Sequence, residues 1–425
     1  NNAETGSLDY REKAPLASSA DMYLDESGNV IPEKSTLGGM AVGVPGTVAG
    51  LEAIHEKFGT LPWEDLVKPA IDLANKGYRV TAKQQLSFED KKEELIKING
   101  ENTFYAKDFK ANDWIKNKAL ATTLERIAKK GSAGFYQGAN AEAMIERIHE
   151  TGGIMTLDDL ISYRPVWRDP IHFKYDDLDI YSMGPPSSGG ICLAQIMKMI
   201  EPFNIEQYAQ NSSAAIQIVV EAERRSYADR SLYLGDPDFI NIPQDSLLDK
   251  VYLSDRMSSF NFDQASKSSD INPGTIIWNE SEQTTHYSIL DPMGNAVAVT
   301  TTLNGSYGSK VFVESGGYFL NNEMDDFSSK PGFPNMFGLI GGKANAIAPE
   351  KRMLSAMTPT IVEKNGKLSM IVGTPGGSTI ITSVLQTILN VYEFGMSIQA
   401  VSYTHLRAHE TREDRGWRGL REKKK

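Results

Sequence analysis

The stretch that most narrows the possible folds is residues 279–308, NESEQTTHYSILDPMGNAVAVTTTLNGSYG. Two alternating segments, THYSIL and AVAVTTTL, flank the turn sequence DPMGN, and period-2 patterning on either side of turn residues predicts a β-hairpin. Alternation puts Thr284, His286 and Ser288 on one face of the first strand, and Thr300, Thr302 and Asn304 on one face of the second. Threonine is a good strand former, so β-propensity and cross-strand pairing are one account of the hydroxyls. The other account is catalytic. A threonine becomes a nucleophile when its own free α-amine serves as base, and that amine titrates near ~8. Thr284 gains such an amine only if the chain is cut between Gln283 and Thr284.

Around this hairpin the pattern is mixed. Residues 1–40 are rich in Pro, Gly and Ser and read as extended loop. Helical periodicity follows in GTVAGLEAIHEKFG, PWEDLVKPAIDLANKG, a charged run from Thr81 to about Ile98, KALATTLERIAKKG and GANAEAMIERIHETGG. PIHFKYDDLDIYSM, residues 170–183, predicts a further hairpin. GGICLAQIMKMIEPF and AAIQIVVEAERRSYADRSLYLG predict buried helices. VFVESGGYFLNN and PTIVEKNGKLSMIVG predict strands, and residues 378–394 a last helix with an apolar face. Helices around hairpin-connected strands indicate a layered α+β arrangement. At 425 residues, two or three domains or one large one are all possible at about 150 residues per domain. There is no internal repeat and no flexible linker.

The net charge of −11 is uneven. Residues 402–425, SYTHLRAHETREDRGWRGLREKKK, carry eight Lys/Arg against four Asp/Glu, a contribution of +4 that leaves −15 on the rest. So acidic a body argues against nonspecific nucleic-acid binding. SYTHLRAHET is similar to translated sequencing-adapter read-through, so residues 402–425 are expected to be a non-native tail. The single Cys192 excludes an internal disulfide framework and a Cys-rich zinc site, and reads as a small core hydrophobe. His55, His149 and His172 lack ligand spacing to one another, so no metal site is expected. No apolar run is long enough to span a bilayer. The start, NNAETGSLDYRE, has no initiator Met and no signal-peptide pattern, and reads as a fragment or a mature form.

Three further stretches carry possible chemistry. VGTPGGST, residues 372–379, lies where a strand hands over to a helix. It is a weak phosphate loop, an oxyanion hole built on the N–H groups of Gly376 and Gly377, or a tight turn capped by Ser378. LNNEMDDFSSKPGFPNMFGLIGG, residues 320–342, offers Glu323, Asp325 and Asp326 to a metal or a substrate ammonium, or else is a solvated acidic loop. The part after the acids reads as an ordered loop able to cover a site. DYREKAP, residues 9–15, isolates Arg11 in a loop, where it is either a surface charge or a fork for a carboxylate.

Together TTHYS, NAVAVTTTLN, NNEMDDFS, RMLSAMTPT and GTPGGS, in that order and spacing, resemble the gamma-glutamyltranspeptidases, members of the N-terminal-nucleophile hydrolases. The resemblance runs from DYREKAP to about GMSIQA at 395–400. It implies a four-layer αββα sandwich truncated at both ends. Residues 1–283 would be a large-subunit segment lacking its N-terminal part, and 284–401 a small-subunit segment lacking its C-terminal part. Thr284 matches the family nucleophile, which also cuts the precursor before itself, so the cleavage site is Gln283–Thr284. Thr302 matches its hydrogen-bond partner. Asn304, Glu323 and Asp326 match residues holding the α-amino end of a glutamyl group. Arg11 and Ser355 match the α-carboxylate clamp, and Gly376 and Gly377 the oxyanion hole. Phe337 stands at the lid position where a tyrosine is common, and Ala356 where relatives have a second serine.

The activity so implied is γ-glutamyl transfer and hydrolysis through an ester on Thr284, without a cofactor. Donors would be glutathione and other γ-glutamyl amides; acceptors would be water, amino acids or peptides. The resemblance implies a periplasmic or secreted location. Two alternatives stand beside it: a related acylase (β-lactam acylase or poly-γ-glutamate depolymerase), and a non-catalytic binder of glutamate-like compounds.

Overall fold

The computed structural model describes residues 4–267, 271 and 284–401. Helices α1 (Thr47–Phe58), α2 (Trp63–Lys76), α3 (Ala82–Asn99), α4 (Lys118–Lys130) and α5 (Gly138–Glu150) occupy the first third of the chain. They are followed by strands β1 (Ile171–Tyr175) and β2 (Leu178–Ser182). Helices α6 (Gly189–Ile200) and α7 (Ser213–Tyr233) come next, then the hairpin β3 (Thr284–Leu290) and β4 (Ala296–Thr302). Strands β5 (Thr360–Lys364) and β6 (Lys367–Val372) lead into helix α8 (Ile380–Tyr392).

Four strands form one antiparallel sheet in the order β6-β5-β2-β1. Its inner face follows from alternation. Ile171, Phe173 and Tyr175 of β1, and Leu178 and Ile180 of β2, point into a core with Ile191, Leu193, Ile196 and Met197 of α6. Ile381, Val384, Leu385 and Ile388 of α8 join the same core, as does Cys192, which is fully buried. Each such aliphatic side chain taken out of water is worth roughly 1.5–3 kcal/mol, which is why α6 is buried nearly all round.

The β3–β4 hairpin packs against strands β5 and β6 of this sheet. Its register pairs Thr284 with Thr302, His286 with Thr300 and Leu290 with Ala296. Ser288 Oγ donates to the carbonyl of Ile371 in β6 at 3.2 Å. Helices and antiparallel strands are mixed along the chain, and the α+β reading holds. A second core, of Val42, Val44, Ile127, Met144, Ile148 and Val311 among others, supports the first third of the chain. A third, of Ala14, Tyr23, Met324, Phe327, Ile347 and Met353, lies beneath the acidic turn described next.

The segment read as extended loop is more ordered than that. Ser7–Asp9 pair with Val166–Arg168, and Pro32–Thr36 form a short helix. The strands expected in VFVESGGYFLNN are two residues each, Phe312–Val313 against Tyr318–Phe319. Gln283 and the tail 402–425 lie outside the described residues. Among the described residues, no helix is long and apolar enough to cross a membrane.

Candidate functional site

Arg11 is buried, and its guanidinium is surrounded by carboxylates. Nη1 donates to Glu323 Oε2 at 2.5 Å, Nη2 donates to Asp326 Oδ2, and Glu12 Oε2 lies 3.6 Å from Nη1. Nε donates to the carbonyl of Met353 at 3.4 Å, two residues before Ser355. Glu323 and Asp326 sit on a single 3-10 turn, Glu323–Asp326, so one fork reaches both.

Burial is the largest influence on all three carboxyls. It holds Glu323 well above the usual range and raises Glu12 and Asp326, with the Arg11 charge pulling each back down. Burial alone would lower Arg11, but Glu323, Asp326 and Glu12 outweigh it and keep the guanidinium protonated. Glu323 Oε1 has no hydrogen-bond partner among the described residues. Three carboxyls around one cation make a site short of positive charge, one that suits an incoming ammonium.

The acidic turn is tied to the hairpin through amides. Asn304 follows β4 by two residues with φ +71°, a left-handed conformation that asparagine tolerates. Its Nδ2 donates to the carbonyl of Asn322 at 3.0 Å, and its backbone N–H donates to Thr302 Oγ1 at 2.9 Å. Asn322 Oδ1 accepts from the Gly305 N–H, and Asn321 Oδ1 accepts from the N–H groups of Gly43 and Glu323. A continuous path therefore leads from Thr284, across the ladder to Thr302, through Asn304 and Asn322, to Glu323. Among the described residues, no direct hydrogen bond joins Thr284 to the Arg11 group.

The glycine loop lies beyond the end of β6. Gly376 has φ +140° and Gly377 φ +50°, and the Gly376 carbonyl accepts from the Thr379 N–H and hydroxyl. Among the described residues no hydrogen-bond partner is found for the N–H groups of Gly376 and Gly377, of which Gly376 is buried. Tyr227 of α7 donates its hydroxyl to the Ser378 carbonyl at 2.7 Å and anchors the loop. The hairpin meets the same region through His286. Its Nδ1 is 2.9 Å from Thr300 Oγ1, its Nε2 is 3.1 Å from Ser288 Oγ, and its ring packs against Gly373. Thr284 shares the His286 face by alternation.

The loop after the acids packs over them. Asn335 Nδ2 donates to Asp326 Oδ1 at 3.1 Å, and the Met336 N–H donates to Asp325 Oδ2 at 2.8 Å. Phe337 is buried, its N–H held by Asn335 Oδ1. Ser355 is buried too; its Oγ accepts from the Met357 N–H, and its carbonyl accepts from the N–H and hydroxyl of Ser188. Sequence reasoning missed Asn321, Asn322, Ser188 and Tyr227. The two asparagines stood in LNNEMDDF, but amides adjacent to acids carry no chemistry of their own to mark them. Among the described residues, no group of three His, Cys, Asp or Glu has the geometry to hold a metal ion.

This fold is shared with solved structures of an acylase and of a gamma-glutamyltranspeptidase. The crystal structure of a cephalosporin acylase from Bacillus halodurans superposes with a TM-score of 0.77 over 93% of this chain and 71% of its own, at 21% identity. A closer sequence match is the gamma-glutamyltranspeptidase of Helicobacter pylori, 40% identical, TM-score 0.62, over 64% of this chain and 79% of that one. The family model for gamma-glutamyltranspeptidase matches residues 1–413. The glutathione hydrolase proenzyme of Escherichia coli K12 is 44% identical over 402 residues, 93% of this chain and 69% of that protein's length. That of Bacillus subtilis strain 168 is 38% identical over 414 residues, with shares of 93% and 69%. The chain belongs to the gamma-glutamyltranspeptidase family.

Proposed function

We propose that the chain catalyses γ-glutamyl transfer and hydrolysis, on glutathione and other γ-glutamyl amides, through an ester on Thr284. The observation that carries this reading is the buried Arg11–Glu323–Asp326 group, linked through Asn322 and Asn304 to the strand paired with Thr284. A γ-linked glutamate presents one carboxylate and one ammonium at fixed spacing. Its carboxylate goes to Arg11 and Ser355, and its ammonium to Asn304, Glu323 and Asp326. Binding exchanges ion pairs within the protein for ion pairs with the ligand.

Cleavage between Gln283 and Thr284 frees the α-amine of Thr284. That amine takes the proton from Thr284 Oγ as the oxygen attacks the γ-carbonyl, and Thr302 orients the hydroxyl. The N–H groups of Gly376 and Gly377 receive the oxyanion, each such donor typically worth ~10²–10³ in rate. Collapse passes the proton to the departing amine and leaves the γ-glutamyl ester. Water resolves the ester by hydrolysis, an amino acid or peptide amine by transpeptidation. Phe337 covers the bound glutamyl group. No step calls for a cofactor.

The same reading makes residues 1–283 a large-subunit segment, 284–401 a small-subunit segment and 402–425 a non-native tail. It makes the helices, sheet and hairpin part of a four-layer αββα sandwich, and the location periplasmic or secreted. Electrophoresis with N-terminal sequencing tests it. The expected outcome is two fragments, the smaller beginning at Thr284, with Thr284→Ala remaining one band. Release of the chromogenic amine from a γ-glutamyl anilide should rise on adding glycylglycine. A folded wild-type chain that stays whole and releases no amine overturns the proposal.

A further inference from the structure

Helix α7 carries a charge the mechanism above does not use. Arg230 is 3% exposed, yet among the described residues no carboxylate lies within ion-pair distance of it. The other buried arginines are all neutralised: Arg11 by Glu323 at 2.5 Å, Arg225 by Glu221 at 2.6 Å and Arg352 by Asp9 at 3.3 Å. An unpaired buried guanidinium is costly, and such groups are usually paired or used.

Its placement says what it faces. Arg230 Nε donates to Ser188 Oγ at 2.8 Å, and Ser188 Oγ spends its own proton on the Ser355 carbonyl at 2.7 Å. The fork is thereby fixed one side chain away from Ser355. On the other side its charge acts on Asp326, whose carboxyl it helps to hold down. The Nη groups make no hydrogen bond among the described residues, and neither is sealed off as a buried unpartnered atom. Helix α7 joins two parts of the site: Tyr227 holds the glycine loop, and the carbonyl of Ser231, next to Arg230, accepts from Gly342 of the covering loop.

We propose that Arg230 is a second cation for the α-carboxylate of the γ-glutamyl group, its Nη groups meeting that carboxylate between Ser355 and Asp326. This rests on the γ-glutamyl reading of the site and adds a specificity-determining residue to it. Arg11 alone, already shared among Glu12, Glu323 and Asp326, has little net charge left for an incoming anion. Arg230 supplies it, and ligands lacking an α-carboxylate do not benefit.

The test compares ligands that differ only in that group. Binding of L-glutamate and of 4-aminobutyrate is measured by calorimetry on wild type, Arg230→Gln and Arg230→Lys. KM and kcat are measured in parallel for the γ-glutamyl and 4-aminobutyryl anilides. Arg230→Gln should weaken L-glutamate roughly 10- to 100-fold, the usual worth of a charge-assisted hydrogen bond. It should raise KM for the γ-glutamyl anilide with kcat little changed, and leave 4-aminobutyrate within about twofold by the same reasoning. Arg230→Lys, which keeps the charge without the fork, should recover part of the loss and stays informative if the glutamine variant does not fold. Equal losses on both ligands, or no loss on either, overturn the proposal. A wild type that acts on no γ-glutamyl donor and binds no glutamate refutes instead the function on which it rests.

Discussion

Replacing Arg11 with glutamine should expose the electrostatic debt of the site. The substitution removes the cation from between Glu323, at 2.5 Å, Asp326 and Glu12, at 3.6 Å, while leaving all three carboxyls buried. Removing one partner from a buried pair typically costs about 3–5 kcal/mol, because the survivor keeps its desolvation and loses its compensation. Arg11 lowers the pKa of each acid in the folded state, so its loss drives their folded values still further above the unfolded ones. Folded carboxyls with raised values bind protons the unfolded chain does not, and stability then falls as pH rises from the unfolded value toward the folded one. Arg11→Gln should therefore lose more stability at pH 8 than at pH 5. Urea unfolding followed by tryptophan fluorescence measures this, in a Thr284→Ala background that keeps one chain. Adding Glu323→Gln removes one of the stranded charges and should restore about 1–3 kcal/mol, a coupling usual for contacting residues. A loss equal at both pH values, or one deepened by Glu323→Gln, refutes the argument.

Two further outcomes follow from local geometry. A Cβ on Gly373 would fall 2.2 Å from His286 Nδ1, forcing the ring off both Thr300 and Ser288. Gly373→Ala should cost about 1–3 kcal/mol and slow the appearance of the two fragments, since His286 sits two residues from Thr284; an unchanged melting temperature and cleavage rate would refute it. Glu223 has an oxygen without a partner among the described residues, and burial pushes its carboxyl up to about 7. The folded state then holds a proton that the unfolded state releases between 4.5 and about 7. Glu223→Gln should gain roughly 2–3 kcal/mol at pH 8 and almost nothing at pH 4.5, measured by thermal or urea unfolding.

Local pattern made the hairpins at 170–183 and 284–302 readable, because period 2 and turn residues are short-range signals. The apolar runs of α6 and α8 were readable for the same reason. What stayed hidden is whatever depends on distant partners. Ser7–Asp9 looked like loop because the strand it pairs with lies some 160 residues away. Arg11 could be read as an isolated loop charge, since the acids that bury it are more than 300 residues on. Nothing in the sequence singled out Arg230 among the charges of a helix read as buried; only its depth and the company of Ser188 set it apart. Asn321 and Asn322 became visible only once their backbone partners did.

The sheet also bears on what happens after scission. Strand β2 lies before Thr284 and β5 after it, and they are stitched together from Ser182 against Thr360 to Leu178 against Lys364. A break at Gln283–Thr284 severs the covalent thread but not this seam, which runs through the middle of the main hydrophobic core. The two products should copurify as a single particle and come apart only under denaturant. Halves produced in separate cells would each carry a raw sheet edge in search of its other half.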